Sequence, residues 1–115
     1  MALAVSNGHQ AFAGADALAI VTEGLDRLEI VHVFGALDFT SAPTLEAALT
    51  RAVRIGTPLI ADLRECTFID AAAIGVLARA RKALGKLFRV RAASGGFPLR
   101  LLEMVGLSGF VDAVT

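Results

Sequence analysis

The sequence predicts an α/β domain with a mostly parallel sheet of four to five strands and helices packed mainly on one face. Apolar segments of strand length alternate along the chain with segments whose apolar residues recur at helical spacing. The connections between these segments are short, and at 115 residues with 56% hydrophobic residues the chain can form one core. An opening hairpin followed by alternating elements gives the order β-β-α-β-α-β-α.

The first elements are a lead-in and a hairpin. Residues 1–15 show no clear period, so we expect a flexible lead-in followed by one domain over residues 16–115. Ala17–Thr22 and Leu28–Phe34 are predicted strands, separated by the turn-forming Gly24-Leu25-Asp26.

The first helix is predicted to begin after Ser41, whose hydroxyl can accept from free backbone N–H groups as an N-cap. Pro43 is tolerated in the first turn, where its missing N–H costs nothing. The helix is predicted to end at Gly56, and its apolar residues recur at helical spacing: Leu45, Ala48, Leu49, Ala52 and Val53.

The remaining elements follow in strict alternation. Leu59–Leu63 is predicted as a central strand, and Asp70 as the cap of a helix that extends to about Leu84. Phe88–Ala93 is predicted as a strand near the sheet edge, because Arg89 and Arg91 alternate along it. Pro98–Val105 is predicted as a third helix, and an apolar tail follows it.

Charge and composition exclude several classes of function. The net charge is zero, but residues 1–70 hold nine acidic and four basic side chains, whereas residues 71–115 hold two and seven. These basic residues lack interleaved Trp or Tyr, which argues against nucleic acid and favours solvated surfaces or a face for a protein partner. No run approaches the roughly 18 apolar residues of a membrane span, so we expect no direct membrane insertion. The lack of a secretory signal and the single Cys66 favour the cytoplasm.

The residues offer little for catalysis, so the chain is predicted not to be an enzyme. His32 lies between aliphatic residues of a predicted strand, and His9 lies in the lead-in. No His, Cys and Asp cluster has the spacing of metal ligands, and Gly95-Gly96 is not a phosphate-binding loop. We therefore expect no metal and no cofactor.

Three segments in register resemble one family. Gly35-Ala36-Leu37-Asp38, followed by Thr40-Ser41-Ala42-Pro43, is similar to its Gly-Glu-Leu-Asp and the helix start after it. Phe68-Ile69-Asp70 with Ile74-Gly75-Val76-Leu77 is similar to its Phe-Ile-Asp-Ser-Ser-Gly-Leu-Gly-Val-Leu segment, and Leu101–Leu107 to its last helix. On these residues the chain resembles the STAS domains of sulphate transporters and anti-sigma factor antagonists, from about Ala17 to Val114.

The resemblance implies a non-enzymatic regulatory module that binds an anti-sigma factor of the serine kinase type. In that family the kinase phosphorylates the serine after the aspartate, and the added charge of about −1.5 to −2 separates the partners. Here that position is Ala71, so the ordinary switch is expected to be lost. The resemblance places the partner-binding surface at Asp38, Thr40, Ser41, Asp70, Ala71, Ala72, Ala73, Ile74, Arg79 and Lys82.

Several alternatives remain open from the sequence. Asp70 can be only a cap and the three alanines only good helix formers. The family also includes subunits of stress-signalling assemblies and of ABC-type lipid transporters, and a degenerate enzyme or nucleotide-binding protein is the weakest alternative. Thr40, Ser41, Thr67 or Cys66 could provide a substitute switch. Neither the identity of the partner nor the oligomeric state is predicted.

Overall fold

The protein, described here from a computed structural model over residues 2–4, 9–13, 19–25 and 27–115, is built on one seven-stranded sheet in chain order. The strands and helices, in order, are β1 Ala2–Ala4, β2 His9–Ala13, β3 Ala19–Leu25, β4 Leu28–Leu37, α1 Ala42–Ile55, β5 Leu59–Ile69, α2 Ala71–Leu84, β6 Phe88–Ala93, α3 Phe97–Met104 and β7 Val111–Val114. Short 3₁₀ turns at Gly85–Leu87 and Ser108–Phe110 precede β6 and β7.

Strand pairing divides the sheet into two parts. Strands β1 to β4 pair antiparallel, whereas β4 to β7 are four parallel strands joined by the three helices. The predicted α/β class and the order of elements are therefore confirmed.

The sheet is wider than the predicted four to five strands. Two short strands lie where the lead-in over residues 1–15 was expected, and β7 forms from the predicted apolar tail. These short segments show no clear alternation of apolar and polar residues. Their strand conformation depends on backbone pairing with a neighbouring strand, which the sequence pattern does not show. The first predicted turn also moves to Arg27, which adopts a left-handed conformation with a φ of 71°.

The two faces of the parallel sheet differ in chemistry. Val31, Ala61 and Val90 are partners in one row, and they are fully buried in the core that residues of all three helices complete. The next row contains His32, Asp62 and Arg91, which therefore lie on the opposite face. The helices pack on the first face because that face is apolar.

Strand β5 is six residues longer than the predicted Leu59–Leu63. The prediction stopped at Leu63 because the second half of the strand is irregular. Register shifts occur opposite His32–Phe34 and opposite Gly35–Ala36, and Gly35 has a φ of 99°. Each bulge adds a residue to β5, which breaks the apolar run on which the sequence prediction depended. The longer strand brings Asp70 next to the end of β4, where its N–H donates to the Leu37 carbonyl at 3.1 Å.

The helices have the bounds that local signals predicted, within a few residues. Helix α1 ends at Gly56, which has a φ of 78° and donates its N–H to the Ala52 carbonyl at 2.9 Å. Helix α2 ends at Leu84 as predicted, and Gly85 follows it as the C-cap. Within the part of the chain that the structure describes, no helix is long and apolar enough to cross a membrane.

Candidate functional site

The starts of α1 and α2 lie side by side, because their helices follow the carboxyl ends of the neighbouring parallel strands β4 and β5. This edge of the sheet therefore brings together two predicted site segments that are about thirty residues apart in the sequence: Asp38–Ser41 and Asp70–Ile74.

The start of α1 is organised around the Asp38 carboxylate. Its Oδ1 atom accepts hydrogen bonds from the Thr40 N–H at 2.9 Å, the Thr40 hydroxyl at 2.5 Å and the Ser41 N–H at 3.1 Å. The hydrogen bond from the Thr40 hydroxyl is the main cause that lowers the pKa of Asp38 below its usual value. Asp38 is thus ionised and directed toward its own loop.

The prediction that the Ser41 hydroxyl caps α1 is wrong. Ser41 occupies the N-cap position but makes no side-chain hydrogen bond to the helix. Its Oγ atom accepts from the Asp38 N–H at 2.9 Å, and its proton can reach the Ala36 carbonyl or the Asp38 carboxylate at 3.2 Å. Only 1% of Ser41 is exposed, so it lies behind the predicted partner-binding surface and holds the loop together.

The start of α2 is capped as predicted. Asp70 Oδ1 accepts from the Ala72 N–H at 3.0 Å and from the Ala73 N–H at 3.2 Å. The three alanines then differ: Ala71 is exposed, Ala72 is half-buried, and Ala73 is fully buried in the core. Ala73 was predicted to touch a partner, but its side chain packs inward because it lies on the stripe of α2 that faces the sheet.

A shallow depression of about 310 Å³ lies between the two helix starts. We call it the alanine hollow, and its lining consists of Phe39, Ala42, Pro43, Glu46, Ala71, Ala72, Gly75, Val76 and Arg79. Most of these side chains are small or apolar, and Phe39 beside them is 73% exposed. An exposed Phe of this size next to a concave apolar surface is typical of a protein-binding site.

The polar side of the hollow is an ion pair between the helices. Arg79 donates from Nε and Nη2 to Glu46 Oε2, at 3.1 and 3.0 Å. Gly75 lies next to this ion pair, because a Cβ atom there would lie 3.3 Å from Arg79 Nη1, a contact that a small shift of the guanidinium would relieve. Lys82, also predicted at the site, is exposed three residues beyond Arg79 and does not line the hollow. Ile74 is half-buried against the core.

The four candidate groups for a substitute switch are not equally accessible. Thr40 and Thr67 are exposed, whereas Ser41 is buried. Cys66 is buried, burial raises the pKa of its thiol, and its Sγ donates to the Phe68 carbonyl at 3.2 Å. A buried thiol with a raised pKa has little of the thiolate form that reacts with oxidants.

The opposite face of the sheet carries a separate polar cluster. Arg64 forms a bidentate pair with Asp62, with Nη2 and Oδ2 2.7 Å apart, and His32 Nδ1 lies 3.4 Å from Asp62 Oδ2. Burial raises the pKa of Asp62, but the hydrogen bonds from Arg64 outweigh it and the net pKa is lowered. The Arg64 N–H also donates to Asp62, so the cluster braces the first bulge of β5. Among the described residues no three His, Cys, Asp or Glu side chains could together hold a metal ion.

Sequence reasoning missed Phe39, Glu46 and Gly75. Phe39 lies between Asp38 and Thr40, and an aromatic residue between polar residues of a loop is a signal that could have been used. The other two residues join the site only through the packing of α1 against α2, which no local pattern reveals.

Comparisons with known proteins identify the family of this domain. A model of the STAS domain family matches residues 19–112. The chain is similar to an anti-sigma factor antagonist from Mycobacterium paratuberculosis, with 28% identity, 89% of each chain covered and a TM-score of 0.75. No curated protein matches the chain.

Two further solved structures share the fold at lower identity. The anti-sigma factor antagonist SpoIIAA in its unphosphorylated form is 19% identical, with 84% of this chain and 89% of that chain covered and a TM-score of 0.63. The Bacillus cell fate determinant SpoIIAA in the phosphorylated form is 19% identical, with 84% and 91% covered and a TM-score of 0.64.

Proposed function

The chain belongs to the STAS domain family, and from that premise we propose that it is a non-enzymatic, cytoplasmic regulator that binds a kinase-type anti-sigma factor. In this proposal the partner docks on the alanine hollow. The similarity to the mycobacterial anti-sigma factor antagonist supports this class of partner. Binding would release the sigma factor that the anti-sigma factor otherwise holds.

The observation that carries the proposal is the exposed Phe39 beside the hollow at the starts of α1 and α2. A rigid aromatic side chain supplies a large contact area at a small entropic cost, which is how binding energy concentrates at interfaces. The polar groups around it are already paired within the protein, because Asp38 binds its own loop and Arg79 binds Glu46. Recognition at the hollow would therefore depend mainly on shape and apolar contact.

The proposal also restricts regulation. The exposed first residue of α2 is Ala71, which has no hydroxyl to accept a phosphate. In relatives with serine there, a phosphate would add charge to an apolar contact beside the capping carboxylate. With alanine, the complex is expected to persist in ATP and to respond instead to the amounts of the two proteins.

Binding to the purified anti-sigma factor of the same organism tests the docking site. We expect Phe39→Ser to weaken binding by roughly tenfold or more, as loss of an aromatic anchor does. Leu87→Ser is the matched control, because Leu87 is a 44% exposed apolar residue near the other end of α2, about 20 Å away along the helix. Equal affinity of both variants and the parent would contradict docking at the hollow.

A second candidate is an accessory subunit of a larger assembly, such as an ABC-type lipid transporter. Stacked Phe68 and Phe97, with ring centroids 5.4 Å apart and about 40% exposure each, favour it because they form a second exposed apolar surface. This candidate predicts stable co-purification with a transporter ATPase that survives Phe39→Ser and is lost in Phe97→Ser.

A further inference from the structure

A second concave surface lies between α1 and α2, toward their carboxyl ends. We call it the helical groove. Its apolar floor is formed by Leu49, Val53, Val76 and Ala80, its edges include Thr50, Arg54 and Ala83, and its volume is about 320 Å³. Because α1 and α2 both connect parallel neighbouring strands, they run side by side in the same direction and leave an open furrow between them.

The helical groove is separated from the alanine hollow by the Arg79–Glu46 ion pair. Both residues, with Val76, line both depressions. The ion pair crosses from one helix to the other and divides the furrow into two parts. A change at Arg54 or Ala83 therefore affects the helical groove without altering Phe39, Ala71 or Ala72.

The charge around the helical groove is predominantly positive. Helix α2 contains no acidic residue, and Glu46 is the one acid of α1. Glu46 is already paired with Arg79, whereas the exposed Arg54 and Lys82 form no ion pair with any residue between 27 and 115. Arg54 lines the helical groove, whereas Lys82 does not. An apolar floor with an unneutralised cation at its edge is complementary to an apolar surface with carboxylates at its margin.

The shape of the helical groove restricts the form of that complementary surface. From Glu46 to Arg54 the furrow extends about 12 Å, which corresponds to about two helical turns. The small side chains Ala80 and Ala83 allow a close approach along α2. Two parallel helices with a furrow of this kind accept a third helix, whose apolar residues at i, i+3, i+4 and i+7 fill the floor.

From these observations we propose that the helical groove binds an acidic amphipathic helix of a partner protein. The apolar stripe of that helix would contact Val53, Val76 and Ala80, while its Asp or Glu residues would pair with Arg54. This second docking surface goes beyond the proposed anti-sigma factor contact at the alanine hollow. It does not depend on that contact, because Phe39, Ala71 and Ala72 line only the alanine hollow, although Glu46, Val76 and Arg79 line both depressions.

Nuclear magnetic resonance with isotope-labelled protein tests the proposal. The probes are two synthetic helical peptides of about 16 residues, identical in their leucine stripe, with glutamate flanks in one and lysine flanks in the other. We expect the glutamate peptide to shift the resonances of Val53, Val76, Ala80 and Ala83, with about threefold to fivefold higher affinity than the lysine peptide at low salt.

Variants make the test specific. The variant Arg54→Glu should reverse the preference between the peptides, and Ala83→Trp should block both by filling the helical groove. Arg100→Glu is the matched control, because Arg100 is an exposed cation on α3, outside the helix pair. Phe39→Ser should leave both peptide affinities unchanged even if it abolishes anti-sigma factor binding, which separates the two proposals.

Three results would overturn the inference. One is equal affinity of the two peptides, and another is a set of shifted resonances on the opposite face of the sheet. The third is concentration-dependent shifts of the same groove resonances without peptide, because these would identify a second copy of the chain as the occupant.

Discussion

The two helix starts at the site perform the same structural task with different residues. At the start of α1, Asp38, Thr40 and Ser41 form a closed set of hydrogen bonds, and Ser41 is buried inside it. At the start of α2, Asp70 alone accepts from two backbone N–H groups, and the residues after it carry only methyl groups. One start is rich in hydroxyls and the other has none.

This difference indicates where specificity and regulation can reside. The hydroxyl of Ser41 is committed to the fold, because its removal would leave the Asp38 N–H without its partner. The surface of α2 is free of such commitments at the exposed Ala71, so this position can change without cost to the fold, whereas the half-buried Ala72 packs against the core. The site can therefore lose its phosphate acceptor and keep its shape.

The largest expected effect is a difference in stability between substitutions at the third and at the first of the three alanines that begin α2. Ala73→Leu should destabilise the protein by about 2–3 kcal/mol, because Ala73 is fully buried and the added carbons overpack the core. Ala71→Leu should change stability by less than about 0.5 kcal/mol, because Ala71 is exposed. Urea unfolding measures both, and similar values for the two variants would remove the distinction between them.

The next effect concerns the hydroxyls of α1. Ser41→Ala should cost about 1–2 kcal/mol of unfolding free energy, because a buried hydrogen-bond set loses one member. Thr40→Ala should cost less, because Thr40 is exposed and water can replace its hydroxyl. A smaller loss for Ser41→Ala than for Thr40→Ala in the same denaturant titration would mean that the loop does not depend on the buried hydroxyl.

A smaller effect, of opposite sign, is expected in α2. Gly75→Ala should stabilise the protein by about 0.5 kcal/mol, because alanine favours the helix by about 0.8–1 kcal/mol but the new Cβ displaces Arg79 slightly. The reverse change on the same helix, Ala78→Gly, should be destabilising by about 0.5–1 kcal/mol. Thermal unfolding compares them, and a destabilising Gly75→Ala would show that the Arg79–Glu46 contact outweighs helix propensity.

The smallest expected effect is a pH dependence at Asp38. Its pKa is lowered in the folded protein, first of all by the Thr40 hydroxyl, so the ionised group favours folding. That contribution is complete above the unfolded pKa of about 3.9 and is lost as the pH falls through the lower folded pKa. The stability difference between the parent and Asp38→Asn should therefore shrink below about pH 4. A difference that stays constant from neutral pH to pH 2 would contradict the linkage.

The parts of the fold that were predicted correctly are those that local signals determine. Asp70 was identified as a cap because capping involves only neighbouring residues. Its side-chain oxygen accepts from the N–H groups of the residues two and three positions later. The helices were placed within a few residues because apolar spacing and glycines mark them. By contrast, β5 beyond Leu63 depends on its pairing with β4 through two bulges, which the sequence pattern does not show.

The candidate site was predicted in outline but not in depth. The resemblance grouped the two segments into one surface, and the structure places them at one edge because adjacent parallel strands end there. The burial of Ser41 was not predictable, because it depends on how the loop before α1 folds. The burial of Ala73 agrees with its helical spacing to Leu77 and Leu84, although the resemblance also placed it on the partner-binding surface. The contribution of Glu46 to the site and the helical groove itself both arise from the packing between α1 and α2. The sequence of either helix alone does not indicate them.

The most direct test of the account is the effect of ATP on the complex with a kinase-type anti-sigma factor, measured for the parent and for Ala71→Ser. The account predicts that both proteins bind, that the parent stays bound and unmodified in ATP, and that Ala71→Ser gains one phosphate by intact mass and dissociates. Release of the parent by ATP with phosphate on this chain would contradict the claim that the hollow is a working interface without its usual switch.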